Sequence, residues 1–238
     1  MNVKNMARKV KEEDYTSKRN EILETARKLV YTKGYEQMSI QDILDAMNIS
    51  KGAFYHYFDS KPALLEALID RFADEAEAAV FPILQDPNLS ALEKLQHYLN
   101  TAVQWKAAQK DYLLAILRVW YSDDNAIIRQ KSFTRLVKRF APSFVPVIKQ
   151  GIQEGSMSTD FPEQAMEIVL QAINGLGDKF GEIILGHEMG TSNLSPKERF
   201  QILNDAVAAN EDALERILGA KKGSIQLMDS RSIREWIE

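Results

Sequence analysis

A tight turn between two short amphipathic segments constrains this chain more than any other feature of its sequence. The first segment opens with a capping-box pattern, Ser39 followed by Asp42, and then places an apolar side chain at every third or fourth position. These apolar residues are Ile40, Ile43, Leu44 and Met47. Only Asn48, which tolerates a positive φ, and Ile49 separate this helix from the next one, which Ser50 caps. Two helices joined so closely must cross steeply, so the pattern predicts a helix-turn-helix.

The second helix, residues 51–58, divides its side chains between two faces. One face carries apolar side chains that we expect to pack on the preceding helices: Ile49, Phe54 and Phe58. The other carries a cation, a glycine, a phenol and an imidazole: Lys51, Gly52, Tyr55 and His56. A glycine lets another backbone approach, and the polar groups suit the major groove of B-form DNA. The alternative interpretation is an ordinary amphipathic helix whose polar residues are only solvated.

Groups beside this helix offer sites for the DNA phosphates. Tyr57 flanks the apolar face, and its hydroxyl can turn to a phosphate. Backbone N–H groups at the helix starts near Ser39, Ser50 and Ser60 can bind anions, and Lys61 adds a charge beside the third.

The rest of the chain is helical in pattern, so we predict an all-α protein of about nine helices, in keeping with the periodicity. A first helix is capped by Thr16 or Ser17 and ends at Gly34, and a fourth starts at Ser60 and stops near Phe81-Pro82. Further helices are predicted from Ser90 to about Ala108 and over residues 111–121, 127–155, 163–186 and 196–218, with a bend or kink in the long one at Pro142 and Pro146. In the tail, Ile233, Trp236 and Ile237 either dock as a small helix or fray.

Charge is distributed unevenly along the chain. The net charge is −4, yet residues 1–61 carry 11 Lys and Arg against 9 Asp and Glu, whereas the remainder is acidic. The positive charge is densest in an N-terminal arm, which contains Lys4, Arg8, Lys9 and Lys11. Such an arm is often only solvated, but its position before a helix-turn-helix favours contact with a polyanion.

The composition narrows the class of protein. There is no cysteine, so disulfides and thiolate zinc sites are excluded and a reducing compartment is favoured. No apolar run approaches the ~18 residues of a membrane span, and the charged N-terminus is unlike a signal peptide. We therefore expect a cytoplasmic protein with no membrane partner.

Enzymatic motifs are incomplete in this sequence. His187-Glu188 begins like a zinc-binding H-E-x-x-H motif, but Thr191 stands where the second histidine belongs. Gly175, Gly177 and Gly181 resemble a dinucleotide loop, but the last is one residue too far along and no strand precedes them. There is no Walker loop or G-x-S-x-G elbow. We expect no catalytic residues, no metal and no cofactor; a helical enzyme is the remote alternative.

Residues 19–69 resemble the DNA-binding domain of the tetracycline-repressor (TetR) family of bacterial transcription regulators. The matching residues are Arg19, Ile22-Leu23, Ala26, Gly34-Tyr35, Ser39, Ile43, Ala46, Ile49-Ser50-Lys51-Gly52, Tyr55, Phe58, Ser60-Lys61 and Leu64. Asn48, Phe54 and Tyr57 depart from the family, which usually has Gly, Leu and His there. These departures keep the needed φ, packing or hydrogen bonding, so they leave the operator sequence open rather than DNA binding.

The resemblance implies a ligand-responsive regulator, most often a repressor, that binds a palindromic operator as a homodimer. The implied DNA-binding residues are Arg19, Ser39, Ser50, Lys51, Gly52, Ala53, Tyr55, His56, Tyr57 and Lys61. The implied segments are an arm (1–15), a helix-turn-helix domain (16–60), a connecting helix (61–82), a ligand-binding and dimerisation domain (83–219) and a tail (220–238).

The larger part offers candidate residues for an effector and for a partner subunit. An apolar or amphipathic effector would contact aromatic and apolar side chains interrupted by polar ones: Gln104, Trp105, Leu117, Trp120, Tyr121, Phe140, Phe144, Gln171 and Asn174. Apolar stripes on the last two long helices would form the dimer interface: Met166, Val169, Leu170, Ile173, Phe200, Leu203, Val207 and Leu214. Both sets could instead be internal core, and an effector-independent dimeric DNA-binding protein remains the alternative.

Overall fold

The described part of the protein is built almost entirely from α-helices joined by short connections. A computed structural model describes the backbone of residues 3–237 and the side chains of residues 12–237. Over that range it has ten α-helices, one 3₁₀ turn at Asp123–Asn125 and no β-strand. The helices are α1 (Val3–Lys33), α2 (Ile40–Met47), α3 (Lys51–Tyr55), α4 (Lys61–Leu84), α5 (Ala91–Ala107), α6 (Lys110–Trp120), α7 (Ala126–Glu154), α8 (Pro162–Glu188), α9 (Pro196–Leu218) and α10 (Ser230–Ile237). The predicted all-α fold is confirmed.

The chain forms two compact units. The first comprises Met1–Phe72 with Asp111–Ser122, and the second comprises Ala73–Lys110 with Asp123–Glu238. The division falls inside α4. It also assigns α6 to the unit that contains α2 and α3, although the sequence placed this helix in the larger part.

Helix α1 begins well before the predicted caps. The Thr16 hydroxyl donates to the Glu12 carbonyl oxygen at 2.9 Å, as a threonine inside a helix does, so it does not cap the N-terminus. Residues 3–15 contain no glycine or proline and are mostly good helix formers, which allows the helix to start at Val3. The predicted arm is thus helical from Val3 onward. The side chains of its basic residues lie outside the described ones.

The predicted turn chemistry of the helix-turn-helix is confirmed. Gly34, with φ +79°, follows α1, and its N–H donates to the Val30 carbonyl oxygen at 2.9 Å. Ser39 and Asp42 form the predicted capping box of α2. Asn48 ends that helix in the left-handed region, at φ 50° and ψ 48°. The side chain of an asparagine tolerates this conformation better than most others, which explains its place in so short a turn.

The first unit has one apolar core built from five helices. It consists mainly of Ile22, Leu23, Ala26, Val30, Ile43, Leu44, Phe54, Phe58, Leu64, Leu65, Leu68, Tyr112, Ile116 and Val119. Each large side chain buried there contributes about 1.5–3 kcal/mol relative to an exposed one. Helix α6 joins this core through Tyr112, whose ring lies 6.0 Å from that of Phe72 and 4.9 Å from the Arg27 guanidinium carbon.

In the second unit, three prolines lie in the interior of helices. Pro82 is inside α4, which continues to Leu84, two residues past the predicted stop. Helix α7 continues without interruption through both Pro142 and Pro146. Helices α5 and α9 each begin with a capping box, formed by a serine and a glutamate three residues later.

The tail docks rather than frays. We call residues 220–237 the C-terminal strap. The Glu215 carboxylate of α9 accepts the backbone N–H groups of Ser224 and Ile225 at 2.8 and 3.0 Å. Helix α10 then buries Ile233 and Ile237. The strap therefore belongs to the second unit, held to α9 by side chains that replace a backbone partner.

Candidate nucleic-acid interface

Two phenylalanines fix α3 to the core. Phe54 and Phe58 are 0% and 3% exposed, and their ring centroids lie 5.8 Å apart. Truncating a buried phenylalanine to alanine typically costs about 3–5 kcal/mol, so these side chains are strong anchors. The prediction that they face inward is confirmed.

The opposite face of α3 is open. Lys51, Gly52, Tyr55 and His56 are all exposed, and we call them the outer face. The Lys51 ammonium lies 5.9 Å from the Tyr55 ring centroid. A Cβ built on Gly52 would find only the Ser50 hydroxyl oxygen within 4 Å, at 3.9 Å. The outer face therefore combines donors and acceptors with a shallow position at which another molecule could approach the backbone.

Serine hydroxyls cap the three helices that surround this face. The Ser50 hydroxyl oxygen accepts the Ala53 N–H at 3.1 Å, and the Ser60 hydroxyl oxygen accepts the Ala63 N–H at the same distance. Ala53 is half-buried, and its backbone N–H takes part in the N-terminal cap of α3. These bonds fix where each helix begins and leave the other first-turn N–H groups oriented outward.

The start of α2 already holds a carboxylate. Asp42 accepts the Ser39 N–H and hydroxyl at 2.8 and 2.9 Å, and the Lys33 ammonium lies 2.7 Å from its other oxygen. The hydrogen bond from Lys33, with those from Ser39, holds the pKa of Asp42 well below its ordinary value. The Ser39 N–H and hydroxyl are both engaged in this box, so the predicted phosphate contact near Ser39 would need other backbone N–H groups of the first turn.

Lys61 is tethered at the start of α4. Its ammonium donates to the Glu36 carbonyl oxygen at 3.2 Å and lies 4.5 Å from the ring centroid of buried Tyr35. Burial lowers the pKa of Lys61, while the charges of Glu36 and Asp42 oppose that shift. The Tyr35 hydroxyl in turn donates to the Lys61 carbonyl oxygen at 3.0 Å. The fold therefore holds Lys61, the cation predicted to contact a DNA phosphate, at the start of α4.

Two side chains that were predicted to contact DNA, those of Arg19 and Tyr57, pack against aromatic rings. The sequence did not identify one of these rings, that of Tyr15, as part of the site. The Arg19 guanidinium lies 4.9 Å from the Phe58 ring centroid. Half-buried Tyr57 packs against Tyr15 of α1, with ring centroids 4.7 Å apart. Tyr15 lies one helical turn before Arg19, a spacing that could have identified it had the helix not been predicted to begin at Thr16 or Ser17.

The nine predicted effector residues do not fall in one unit. Leu117, Trp120 and Tyr121 are half-buried in the first unit, and the others lie in the second. Gln104 and Gln171 are exposed, Trp105 and Asn174 are half-buried, and the Asn174 amide donates to Asp178 at 3.2 Å. Among the nine, Phe140 and Phe144 are both buried and lie one turn apart on α7.

Phe140 and Phe144 belong to an aromatic cluster that the sequence only partly revealed. Phe81 of α4 lies 5.1 Å from Phe140 and 6.1 Å from Phe144, between ring centroids. Tyr98 of α5 lies edge-on to Phe144 at 4.7 Å. Burial raises the pKa of Tyr98 to about 12. We call Phe81, Tyr98, Phe140 and Phe144 the aromatic cluster.

The predicted dimer residues mostly face inward. Six are buried within the single chain: Met166, Val169, Leu170, Leu203, Val207 and Leu214. Ile173 and Phe200 are half-buried, and Phe200 is covered by the Arg234 guanidinium at 4.1 Å. Helices α8 and α9 pack on each other, and α7 and α10 cover further faces, so these stripes are core. The six buried side chains are therefore not available for contact with a partner subunit.

Two other kinds of site are absent from the part of the chain that the structure describes. Among the side chains of residues 12–237, no group of three or more His, Asp or Glu residues could hold a metal ion. The helices between Val3 and Ile237 include none with the length and hydropathy needed to cross a membrane.

Family profiles match both parts of the chain. Residues 22–68 match the profile of bacterial regulatory proteins of the tetR family, and residues 118–179 match a tetracyclin repressor-like C-terminal domain. The first match covers the helix-turn-helix described above.

Similar proteins are transcriptional regulators. The chain is 23% identical over 161 residues to the HTH-type transcriptional repressor DhaR of Mycobacterium sp. (strain GP1), a match that covers 67% of this chain and 80% of that one. It is 28% identical over 148 residues to the repressor KstR2 of Mycobacterium tuberculosis, covering 60% and 71%. A regulator of Bacillus subtilis, YuxN, is 45% identical over 62 residues, which span 26% of this chain and 21% of the other.

Solved structures share the fold. A TetR-family regulator from Pectobacterium atrosepticum superposes with a TM-score of 0.61 at 19% identity, covering 87% of this chain and 96% of that one. GusR of Salmonella enterica gives a TM-score of 0.55 at 19% identity, with 85% and 95% covered. With a helix-turn-helix whose outer face is open, two matching family profiles and repressors among its relatives, the chain belongs to the TetR family of DNA-binding transcriptional regulators.

Proposed function

We propose that the protein is a repressor that binds a palindromic DNA operator as a homodimer and leaves it when a small effector binds to the second unit. The observation that carries the proposal is the two-sided construction of α3, whose outer face is open while two buried phenylalanines hold it from behind. A helix of this kind can enter the major groove without losing its place in the fold. We assign the protein no catalytic role.

The outer face fits base edges, and its surroundings fit phosphates. Lys51 can donate to guanine O6 and N7, while Tyr55 and His56 can donate to or accept from neighbouring bases. Lys61, held beside Tyr35, carries a positive charge suited to a phosphate. Base contacts would select the operator, and phosphate contacts would set the register of the protein on it.

Dimerisation would use the outward faces of α8 and α9 rather than the predicted apolar stripes. Ile168 is 52% exposed on α8, and a Cβ built on Gly175 would meet no heavy atom within 4 Å. On α9, Ala208 and Ala209 are exposed. Small residues on both helices would allow close approach of a second copy. The dimer must place its recognition helices about 34–36 Å apart to reach both half-sites.

An effector would bind beside the aromatic cluster. The Tyr98 hydroxyl makes no hydrogen bond to any other residue among the described side chains, although its ring is packed against Phe144. A ligand with an aromatic or apolar body and one hydrogen-bonding group would satisfy that hydroxyl. Such a ligand weakens DNA binding only by its differential affinity for the two states, commonly about 1–3 kcal/mol.

The DNA proposal is tested by selecting binding sequences from a random duplex library with the full-length protein. We expect a palindromic consensus. Tyr55→Ala and His56→Ala should each weaken operator binding by about 5- to 150-fold per half-site and leave binding to unrelated DNA nearly unchanged, because each lost base contact is worth about 1–3 kcal/mol. Tyr31→Ala, an exposed tyrosine elsewhere on α1, is the matched control. Equal loss on both DNAs would contradict the assignment of the outer face.

The effector proposal has its own test. Candidate aromatic and amphipathic compounds are titrated against the complex of protein and operator, with DNA release and thermal stability as readouts. Tyr98→Phe should weaken the response to an active compound without changing operator affinity in its absence. The second candidate function, a dimeric DNA-binding protein without an effector, is favoured if the cluster is closed core and no compound in a broad panel changes either readout.

A further inference from the structure

The packed stripe of α1 continues beyond the apolar core of the first unit. Within the core this stripe includes Ile22 and Ala26, both fully buried. One turn earlier, Arg19 covers the ring of Phe58. One further turn toward the N-terminus, the Tyr15 ring packs against His56 and Tyr57, which directly follow α3. The N-terminal part of α1 is therefore placed beside the residues that follow α3, as the extension of a helix that is firmly held.

Three rings meet at this point. The Tyr15 centroid lies 4.7 Å from that of Tyr57 with the planes tilted by 36°, and 5.5 Å from that of His56 with the planes at 84°. His56 and Tyr57 are themselves 5.0 Å apart at 78°. Tilted and edge-to-face arrangements at these distances are the favourable ones for aromatic pairs. Tyr15 is still 38% exposed, so it contributes little to the core itself.

The rings are what orient His56. This residue ends α3, where its N–H donates to the Gly52 carbonyl oxygen at 3.1 Å, but its imidazole has no hydrogen bond or ion pair to any side chain or backbone group of residues 12–237. The Tyr57 hydroxyl likewise has none within that range. An imidazole on an open surface would otherwise sample several rotamers, and ordering it on binding costs affinity.

We propose that Tyr15 is a positioning residue for DNA recognition, whose ring holds the His56 imidazole and the Tyr57 phenol in the orientation that meets the DNA. This inference rests on the proposed function. It extends the DNA-reading surface to α1, outside the helix-turn-helix itself. The ring of Tyr15 orients the two side chains before DNA binds. The resulting gain in affinity applies to the operator complex, in which His56 and Tyr57 must make particular contacts.

The size of the effect follows from the strength of an aromatic pair. Removing the ring should weaken operator binding by about 3- to 10-fold per half-site. A dimer on two half-sites would then lose about 10- to 100-fold, since two independent losses multiply. Binding to unrelated DNA, which depends on phosphates, should change by less than about 2-fold.

The experiment compares Tyr15→Ala and Tyr15→Phe with the wild-type full-length chain. Fluorescence anisotropy gives the affinities for the selected operator and for a scrambled duplex. NMR of protein labelled at the histidine ring carbon ε1 reports the imidazole of His56, which is one of only three histidines. Tyr15→Phe keeps the ring and should behave as wild type in both measurements. Tyr31→Ala is the control for loss of an exposed tyrosine from the same helix.

The outcomes separate this inference from the proposed function. Support requires that Tyr15→Ala move the His56 resonance and reduce the ratio of operator to scrambled affinity, with Tyr15→Phe unchanged. An unmoved His56 resonance overturns the inference, and so does a moved resonance with an unchanged affinity ratio. Equal losses for Tyr15→Phe and Tyr15→Ala also overturn it, because they would assign the effect to the hydroxyl. A wild-type protein that selects no operator refutes the proposed function instead.

Discussion

At position 52, folding and DNA recognition place different requirements on the side chain. A Cβ at this position would meet one atom at an ordinary contact distance, and its backbone is not in the left-handed region. Gly219 is different, because its φ is +62° and a Cβ there would collide with the carbonyl group of Ser158. The fold therefore requires glycine at 219 and not at 52. A glycine that folding does not require, on the outer face of α3, is consistent with the proposed close approach of DNA.

We predict that Gly52→Ala separates stability from DNA binding. Alanine in a helix removes conformational freedom from the unfolded chain, so the free energy of unfolding should be unchanged or rise by up to about 1 kcal/mol. Operator affinity should fall by at least about 10-fold, because a methyl group displaces the helix from the groove by about 1 Å or more. Urea denaturation and anisotropy titration measure the two quantities.

Gly219→Ala is the matched control and should give the reverse pattern. It should lower the free energy of unfolding by about 1–3 kcal/mol, because it combines strain at a positive φ with a steric clash. A Gly52→Ala protein that binds the operator with wild-type affinity would show that this glycine has no role in recognition.

At the scale of the helices, the sequence periodicity predicted where helices occur better than it predicted which surfaces they pack against. The capping boxes and turn residues act over three or four neighbouring positions, so Ser39, Asp42 and Gly34 could be interpreted from the sequence alone. The partners of the apolar stripes on α8 and α9, which include Val169 and Leu203, could not be identified from the sequence. A stripe that faces its own core and one that faces a second subunit have the same spacing. Tyr15 was missed because its partners are about 40 residues away and its helix was predicted to begin after it.

The C-terminal strap shows how side chains can replace a backbone ladder. Glu215 is buried in α9, and its carboxylate accepts two consecutive N–H groups of the strap. Glu211, one turn earlier, accepts the Leu227 N–H at 2.8 Å. The strap thus follows α9 in the opposite direction, so it covers one side of a helix that would otherwise be exposed.

We predict that Glu215→Ala releases the first part of the strap. The N–H groups of Ser224 and Ile225 would lose their acceptor, and each buried group left unpaired costs about 1–3 kcal/mol. Hydrogen exchange at these two amides should accelerate, and the melting temperature should fall. Glu215→Gln keeps a carbonyl acceptor and should retain most of the protection. Asp205→Ala, an exposed acid on the same helix, should change neither, and equal protection in Glu215→Ala would contradict the strap's dependence on this side chain.

The charge of the whole molecule does not favour DNA. With −4 per chain, a dimer carries −8 and repels a polyanion at long range. The proposed DNA binding would therefore depend on cations that lie locally near the helix-turn-helix. Lys61 is such a cation, because Tyr35 and Glu36 hold it at the start of α4. Each local cation that contacts a phosphate should add a measurable increment to the dependence of operator affinity on salt.

The salt dependence can also count subunits on the operator. Each phosphate contact contributes about 0.9 to the slope of log affinity against log salt, so Lys61→Met should lower the magnitude of that slope by about 2 for a dimer and by about 1 for one bound protomer. Methionine keeps much of the apolar stem against Tyr35, so the fold should persist. Lys222→Met, which removes the same charge from the exposed part of the strap, should leave the slope unchanged. Affinities measured from low to moderate salt decide the matter: a fall of about 1 would contradict operator binding by two subunits, and no fall would remove Lys61 from the interface.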